Sequence, residues 1–292
     1  MKNYGNILSF CFGCEPLGGT DWGDVYIPDI EEAIQEALDL GIKYFDTAAV
    51  YGLGLSEKRL SNILGEKRHD VIIATKGGFS WRQDDQNHRS IVFRDSSPAS
   101  IRKNIEGSLS RLKIDCLPIF YIHWPDTNFS IRETFSTLME LCSEGKIDRI
   151  GCSNFNVSQL EKACAVSNVS FIQLPYNILN NHIDNKILSL SKRNNIKIVV
   201  YNVLANGLLT GKYNKLSTFP ENDRRSRLSN FRGKPYLRVL KQIDRLKIEA
   251  EINNLTLAQY AIKCVIEVPS ISSVILGIKN SRQLNENFSA VQ

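Results

Sequence analysis

Four side chains with acid–base chemistry close or follow apolar runs. The run 42–45, IKYF, ends on the carboxylate of Asp46, and the phenol of Tyr51 stands five residues later. Lys76 closes the run DVIIATK, and His123 follows CLPIFYI. Each has an ordinary role when taken singly: Asp46 as a turn cap, Lys76 as a solvated cation, His123 as a satisfied core histidine, Tyr51 as a loop aromatic. Together they make a proton-transfer set. A lysine beside an aspartate keeps its charge despite burial, and a neighbouring ammonium stabilises tyrosinate, drawing the phenol down from its usual value near 10. A phenol so tuned is a general acid close to neutral pH, with His123 as hydrogen-bond donor or orienter. Zinc fits poorly, because no second histidine has ligand spacing and Lys76 would have no purpose.

These residues can meet only if the fold gathers the ends of their runs. Short runs rich in Val, Ile, Leu and Phe alternate with segments of helical period: 7–13, 42–46, 70–76, 116–124, 146–153, 171–177, 196–202 and 272–278, each succeeded by a helical segment. Eight strand–helix units with continuously apolar strands predict a parallel sheet covered by helices and closed into an α/β (β/α)8 TIM barrel, a single domain over 1–292. FGCEPLGG after the first run lacks the G-x-G-x-x-G spacing of a doubly wound dinucleotide-binding sheet. In such a barrel the strand ends surround one mouth, which adds Ser153, Asn154, Gln173, Tyr201 and Asn202 to the set. A long loop follows the seventh strand, roughly 203–236. The basic residues of its 214–236 portion are either a solvated charge run or a cover for a phosphorylated cofactor.

Composition narrows the function classes. No apolar run approaches the ~20 residues of a membrane helix, and no secretory leader is evident, so a cytoplasmic protein without membrane attachment is expected. The net charge of +5 suits an anionic small molecule, while the lack of a basic helix interleaved with stacking aromatics argues against nucleic acid. Seven irregularly spaced cysteines read as reduced thiols, the Cys11/Cys14 pair included. A glycoside hydrolase would need a carboxylate partner for Asp46 across the mouth, where a lysine stands instead.

The ordered pieces FDTAAVYGLGLSE, ATKGG, YIHWPD, GKIDRIGCSNFN, QLPYN, VVYNVLANGLLTGKY and ILGIKNSRQLNEN resemble the aldo-keto reductase family over essentially the whole chain. The resemblance implies a barrel binding NADP(H) without a Rossmann domain, with a catalytic tetrad on Asp46, Tyr51, Lys76 and His123. It implies cofactor contacts from Ser153, Asn154 and Gln173 to the nicotinamide carboxamide and from Tyr201, beside Asn202, to the nicotinamide ring. Leu204, Gly207, Leu209, Gly211 and Lys212 would lie under the pyrophosphate, and Lys279, Gln283, Glu286 and Asn287 at the adenosine 2'-phosphate end. Asn202-Val203 and Ile278-Lys279 depart from common family residues at the cofactor grip.

The expected reaction is reduction of an aldehyde or ketone, with a polyol, sugar or natural-product intermediate as the expected substrate and Tyr51 as proton donor. The alternative is an NADP(H)-binding redox-sensing subunit resembling channel β subunits. Trp22, Tyr26, Trp81 and Trp124, with Phe79, are either an aromatic substrate wall or loop anchors, and Asp21, Asp24 and Asp126 are candidate acceptors for substrate hydroxyls. Oligomeric state is not readable from the sequence.

Overall fold

The computed structural model describes residues 9–84 and 89–292; Ile7 and Leu8 of the first expected strand lie outside them. Eight parallel strands close into a barrel: β1 (Phe10–Gly13), β2 (Tyr44–Asp46), β3 (Ile72–Gly77), β6 (Leu117–Ile122), β7 (Ile147–Ser153), β8 (Val169–Pro175), β9 (Lys197–Tyr201) and β10 (Ile271–Gly277). The order around it is β1-β10-β9-β8-β7-β6-β3-β2, the (β/α)8 TIM barrel expected from the alternation of runs. Helices α1 (Ile27–Asp39), α2 (Leu55–Leu64), α3 (Pro98–Leu112), α4 (Ile131–Ser143), α5 (Val157–Cys164), α6 (Asn185–Arg193), α8 (Leu257–Ile266) and α9 (Ser281–Phe288) stand between or after the strands. Their starts follow local chemistry. Ser97 accepts from Ser100 N ahead of Pro98, and Asn156/Gln159 and Thr256/Gln259 form reciprocal capping boxes.

Side-chain parity explains the placement of the polar residues. Successive residues of a strand face opposite sides of the sheet. The barrel interior is filled by Cys11, Tyr44, Ile72, Ala74, Ile119, Tyr121, Phe171, Val199 and Ile275. Two residues further along the same faces lie Asp46 after Tyr44, Lys76 after Ala74, His123 after Tyr121, Gln173 after Phe171 and Tyr201 after Val199. The apolar interior therefore continues upward into a polar ring. At Gly151 an added Cβ would lie 2.5 Å from the Tyr121 ring, so the bare backbone there admits the phenol that underlies this ring.

Two elements depart from the sequence reading. A hairpin, β4 (Phe79–Asp84) and β5 (Arg89–Arg94), is inserted between β3 and α3. Its short alternating runs were obscured by the polar stretch between them. The expected loop 203–236 contains tight helical turns at Ala205–Thr210, Arg224–Arg227 and Ser229–Phe231, and runs into a 20-residue helix, α7 (Gly233–Ile252), that begins inside it. Phe231, Tyr236, Ile243 and Ala250 pack with Leu208, Leu209, Leu257 and Ala261 into a separate apolar cluster. With buried positions spaced about two turns apart and charged residues between them, α7 gives only a faint helical signal in sequence.

The turn that carries Tyr51 rests on a close backbone approach. Gly52 has φ +59°, and an added Cβ would stand 2.2 Å from the Gly18 carbonyl oxygen. Gly52→Ala should therefore destabilise the fold by about 2 kcal/mol or more through strain and overpacking. Urea unfolding would show a lower midpoint at unchanged m-value; an unchanged midpoint would remove the close approach as a constraint.

Candidate active site

A cleft of ≈ 920 Å³ opens over the polar ring and is lined by Asp46, Tyr51, Lys76 and His123 together. Lys76 and Asp46 are 2% and 3% exposed, so neither charge is tolerable without the other. Lys76 Nζ donates to Asp46 Oδ1, to the Thr47 carbonyl at 2.9 Å and to Tyr51 Oη at 3.3 Å. The second oxygen of Asp46 accepts from Gln173 Nε2 at 2.7 Å. All three ammonium hydrogens and both carboxylate oxygens are thus engaged.

The expected acidity of Tyr51 is corrected by this arrangement. Burial, and then the nearby carboxylates Glu15 and Asp46, push the phenol well above its ordinary value of 10, with Arg224 opposing and Tyr201 adding to the rise. The charge of Lys76 is held by Asp46 and does not overcome burial. Because Lys76 donates to the phenolic oxygen, the phenol's own hydrogen is left for another acceptor. His123 packs edge-on against Tyr51 and Phe79, at ring separations of 5.7 and 5.4 Å. Burial, then Lys76 and Arg224, hold the imidazole well below 6.5, so it is neutral, and its Nδ1 is buried without a partner.

The remaining strand-end residues form a second network. Asn154, at φ +64°, donates to the His123 carbonyl at 3.1 Å and to Ser153 Oγ at 3.0 Å, and accepts from Tyr201 Oη at 2.6 Å. Burial, partly offset by that bond, lifts Tyr201 to about 12. Asn202 accepts at Oδ1 from Asn206 N at 2.8 Å, shaping the turn that brings Leu204 and Gly207 to the cleft. Lys212, Lys279, Gln283, Glu286 and Asn287 also line it. Leu209 and Gly211 do not: Leu209 is sealed beneath α7, and Gly211 lies against the Lys247 side chain.

The substrate-wall expectation divides. Trp124 and Phe79 line the cleft, and Arg94 lies 5.4 Å over the Trp124 ring. Tyr26 is 69% exposed and Trp81 lies on the hairpin, both outside the lining. Trp22 is surrounded by cations, with Arg224, Arg225 and Lys279 within 5.7 Å of its ring. Of the three aspartates, Asp21 borders the cleft whereas Asp24 and Asp126 lie outside its lining, and all three are engaged with other loops. Asp126 accepts from Ser96 N and Asn128 N, Asp21 pairs with Arg227, and Asp24 accepts from Asn222.

The segment after β9 crosses the mouth to the β1–α1 loop. Trp22 and Asp223 form an isolated antiparallel bridge, Arg224 N donates to the Asp21 carbonyl at 2.9 Å, and Arg224 Nη1 donates to Glu15 Oε1 at 2.7 Å. Of its basic residues Arg224 and Arg225 line the cleft, whereas Lys215, Arg227, Arg232 and Lys234 are exposed. Glu15 is absent from the sequence reading although it stands two residues beyond β1, whereas Arg224 belongs to the basic 214–236 portion considered there as a cover for the cofactor. Lys279 is pushed from 10.5 down to about 8 by burial and by Arg225, with Asp223 opposing. Crowded cations of this kind await an anion.

Residues 10–292 match the Aldo/keto reductase family. The chain belongs to that family. It is 34% identical over 277 residues to the aldo-keto reductase YhdN of Bacillus subtilis, covering 93% of this chain and 81% of that one. It is 29% identical to the NADH-specific methylglyoxal reductase of Escherichia coli, over 94% of this chain and 86% of the relative. Among solved structures it resembles the glycerol dehydrogenase of Gluconobacter oxydans, with TM-score 0.86, 34% identity, and coverage of 96% of this chain and 85% of the other. Aldo-keto reductases use a nicotinamide cofactor, and among the described residues no helix is long and apolar enough to cross a membrane.

Removing either member of the buried pair should cost about 3–5 kcal/mol, because the other charge is left uncompensated. Asp46→Asn and Lys76→Met should each lower stability by that order, and the double variant should lose clearly less than the sum. Additive losses in denaturant unfolding would show that the two charges do not support each other.

Proposed function

We propose that the protein is an NADP(H)-dependent reductase of aldehydes or ketones, a single-domain barrel acting on a small carbonyl compound. The observation that carries this reading is the Tyr51 phenol, 3.3 Å from Lys76 Nζ, in one cleft with a cation cluster suited to a phosphorylated cofactor. When bound, the cofactor supplies the hydride. Tyr51 provides the proton: its hydrogen is directed to the carbonyl oxygen, and the tyrosinate left behind keeps the hydrogen bond from Lys76. Its weakened acidity keeps the acid form present throughout the neutral range, and the proton leaves only as negative charge develops on the substrate oxygen. Neutral His123 can donate one ring hydrogen to the same oxygen without adding a charge to the site. In the reverse direction the same groups accept the proton.

The residues present fit the cofactor. Tyr201 and Ser153 border the inner end of the cleft, although the Asn154 amide hydrogens and the Gln173 donor are already engaged within the protein. Gly207 and Lys212 border the cleft as well, as do Lys279, Arg282 and Asn280, the last capping α9 by accepting from Gln283 N. An anion is favoured at a helix N-terminus beside two cations, which supports NADP(H) over NAD(H).

Tyr51→Phe should lower kcat by about 10²–10⁴-fold, the range of a lost general acid, while cofactor affinity stays near its original value. Undiminished turnover would sink the assignment, and tight cofactor binding with no turnover of any carbonyl by the unsubstituted protein would favour a redox-sensing subunit. Lys279 supplies a pH test. With its folded value near 8 against an ordinary 10.5, the folded protein holds fewer protons than the unfolded chain between these limits, so this group's contribution to stability rises with pH there. Its attraction for the 2'-phosphate does the opposite, fading as pH climbs above about 8. The Kd for NADP+ should increase from pH 7 to 9.5, and Lys279→Met should flatten the dependence; parallel slopes would remove Lys279 from the site.

A further inference from the structure

Glu15 is not one of the four residues assigned to proton transfer, yet it lines the same cleft. Gly13, two residues before it, pairs in register with Asp46, which puts Glu15 just above the catalytic level of the barrel. Its side chain is 30% exposed and that of Arg224 is 38% exposed, so the pair joined at 2.7 Å faces the cleft with part of its polar surface free. The fields of Glu15 and Arg224 both reach Tyr51 and Tyr201, and that of Arg224 also reaches His123. Glu15, Arg224, Tyr51, His123 and Tyr201 line one cleft, so the pair borders the cavity that a carbonyl compound would enter.

Its chemistry selects a kind of neighbour. The pair is neutral as a whole: a substrate anion would be repelled by the carboxylate, and a cation by the guanidinium. A hydroxyl is both donor and acceptor, so it can give its hydrogen to Glu15 and receive one from Arg224. Elsewhere the cleft is lined by Phe79, Val92 and Trp124, which offer mainly apolar and aromatic surface. Holding down the crossing segment does not account for Glu15, since that segment is also fastened by the Trp22–Asp223 bridge, by Arg224 N on the Asp21 carbonyl and by the Arg227–Asp21 pair.

We propose that Glu15, together with Arg224, is the specificity determinant of this site and selects short carbonyl compounds carrying a hydroxyl beside the carbonyl over their deoxy counterparts. This rests on the carbonyl-reductase reading. A site that bonds a substrate hydroxyl discriminates against the analogue lacking it, because its polar groups are then left poorly matched. The mutual Glu15–Arg224 bond limits the effect, since the pair satisfies itself when no hydroxyl is present.

The test compares kcat/KM for glyceraldehyde and propanal, which share a three-carbon aldehyde skeleton, in the unsubstituted enzyme, Glu15→Gln and Glu15→Leu, with the Kd for NADPH measured alongside. Any change that Glu15 makes to the acidity of Tyr51 cancels from the ratio, because both substrates receive the same proton. The expected result is a ratio lowered about tenfold in Glu15→Leu and by less in Glu15→Gln, carried by a higher KM for glyceraldehyde. Equal losses for both aldehydes, an unchanged ratio, or an effect confined to the Kd for NADPH would overturn the proposal and leave Glu15 as an anchor of the crossing segment. Turnover of neither aldehyde nor any other carbonyl by the unsubstituted enzyme would overturn the reductase reading, and this proposal with it.

Discussion

The buried contact between Lys76 and Asp46 is the constraint around which the mouth of the barrel is organised. An ammonium and a carboxylate taken out of water each lose several kcal/mol of solvation, recovered only when their hydrogen-bonding positions are filled. Thr47 supplies a carbonyl, Gln173 an amide and Tyr51 a phenolic oxygen, so residues from the ends of β2, β3 and β8 and from the turn after β2 are bound to one point. The surrounding interior feels the same charges. Burial, reinforced by Asp46, holds the thiols of Cys11 and Cys14 well above their usual range, keeping them as protonated apolar filler.

That arrangement assigns unlike tasks to two ionisable groups a short distance apart. Tyr51 stays protonated because burial and two carboxylates disfavour its anion, and His123 stays neutral because burial and two cations disfavour its cation. A proton donor and an uncharged polar group thus face one cleft over a broad pH range. Elsewhere the balance reverses. Lys212, Arg225 and Lys279 crowd together with Asp223 as the nearby counter-charge, and burial with mutual repulsion lowers both lysines. Tyr51, His123, Lys212 and Lys279 line the same cleft, and Arg224 and Arg225 of the crossing segment border it as well.

The legible part of this protein was the periodic part. Continuous apolar runs at regular spacing described eight buried parallel strands, and the polar residues ending them described a ring at the mouth, because strand parity carries the interior face of each strand to its last residue. Less legible were features resting on partners remote in sequence. Asp126 looked like a substrate contact and is a loop tie, since its acceptors meet the backbone of Ser96 and Asn128. Leu209 looked like a cofactor contact and is roofed by α7, whose own period is too diluted by charge to be heard. Glu15 attracted no notice, although its distance from a strand end is a signal of the same type as the others.

From the sequence alone came the barrel, the meeting of Asp46, Tyr51, Lys76 and His123 at one mouth and the family, since these depend on residue type, order and local period. Tertiary structure decided the direction of the Tyr51 shift, the engagement of Gln173 with Asp46, and the meeting of Glu15 with Arg224 across 209 positions. The physical reason is that desolvation and charge pairing depend on distances between segments, and no local pattern of residues encodes those distances.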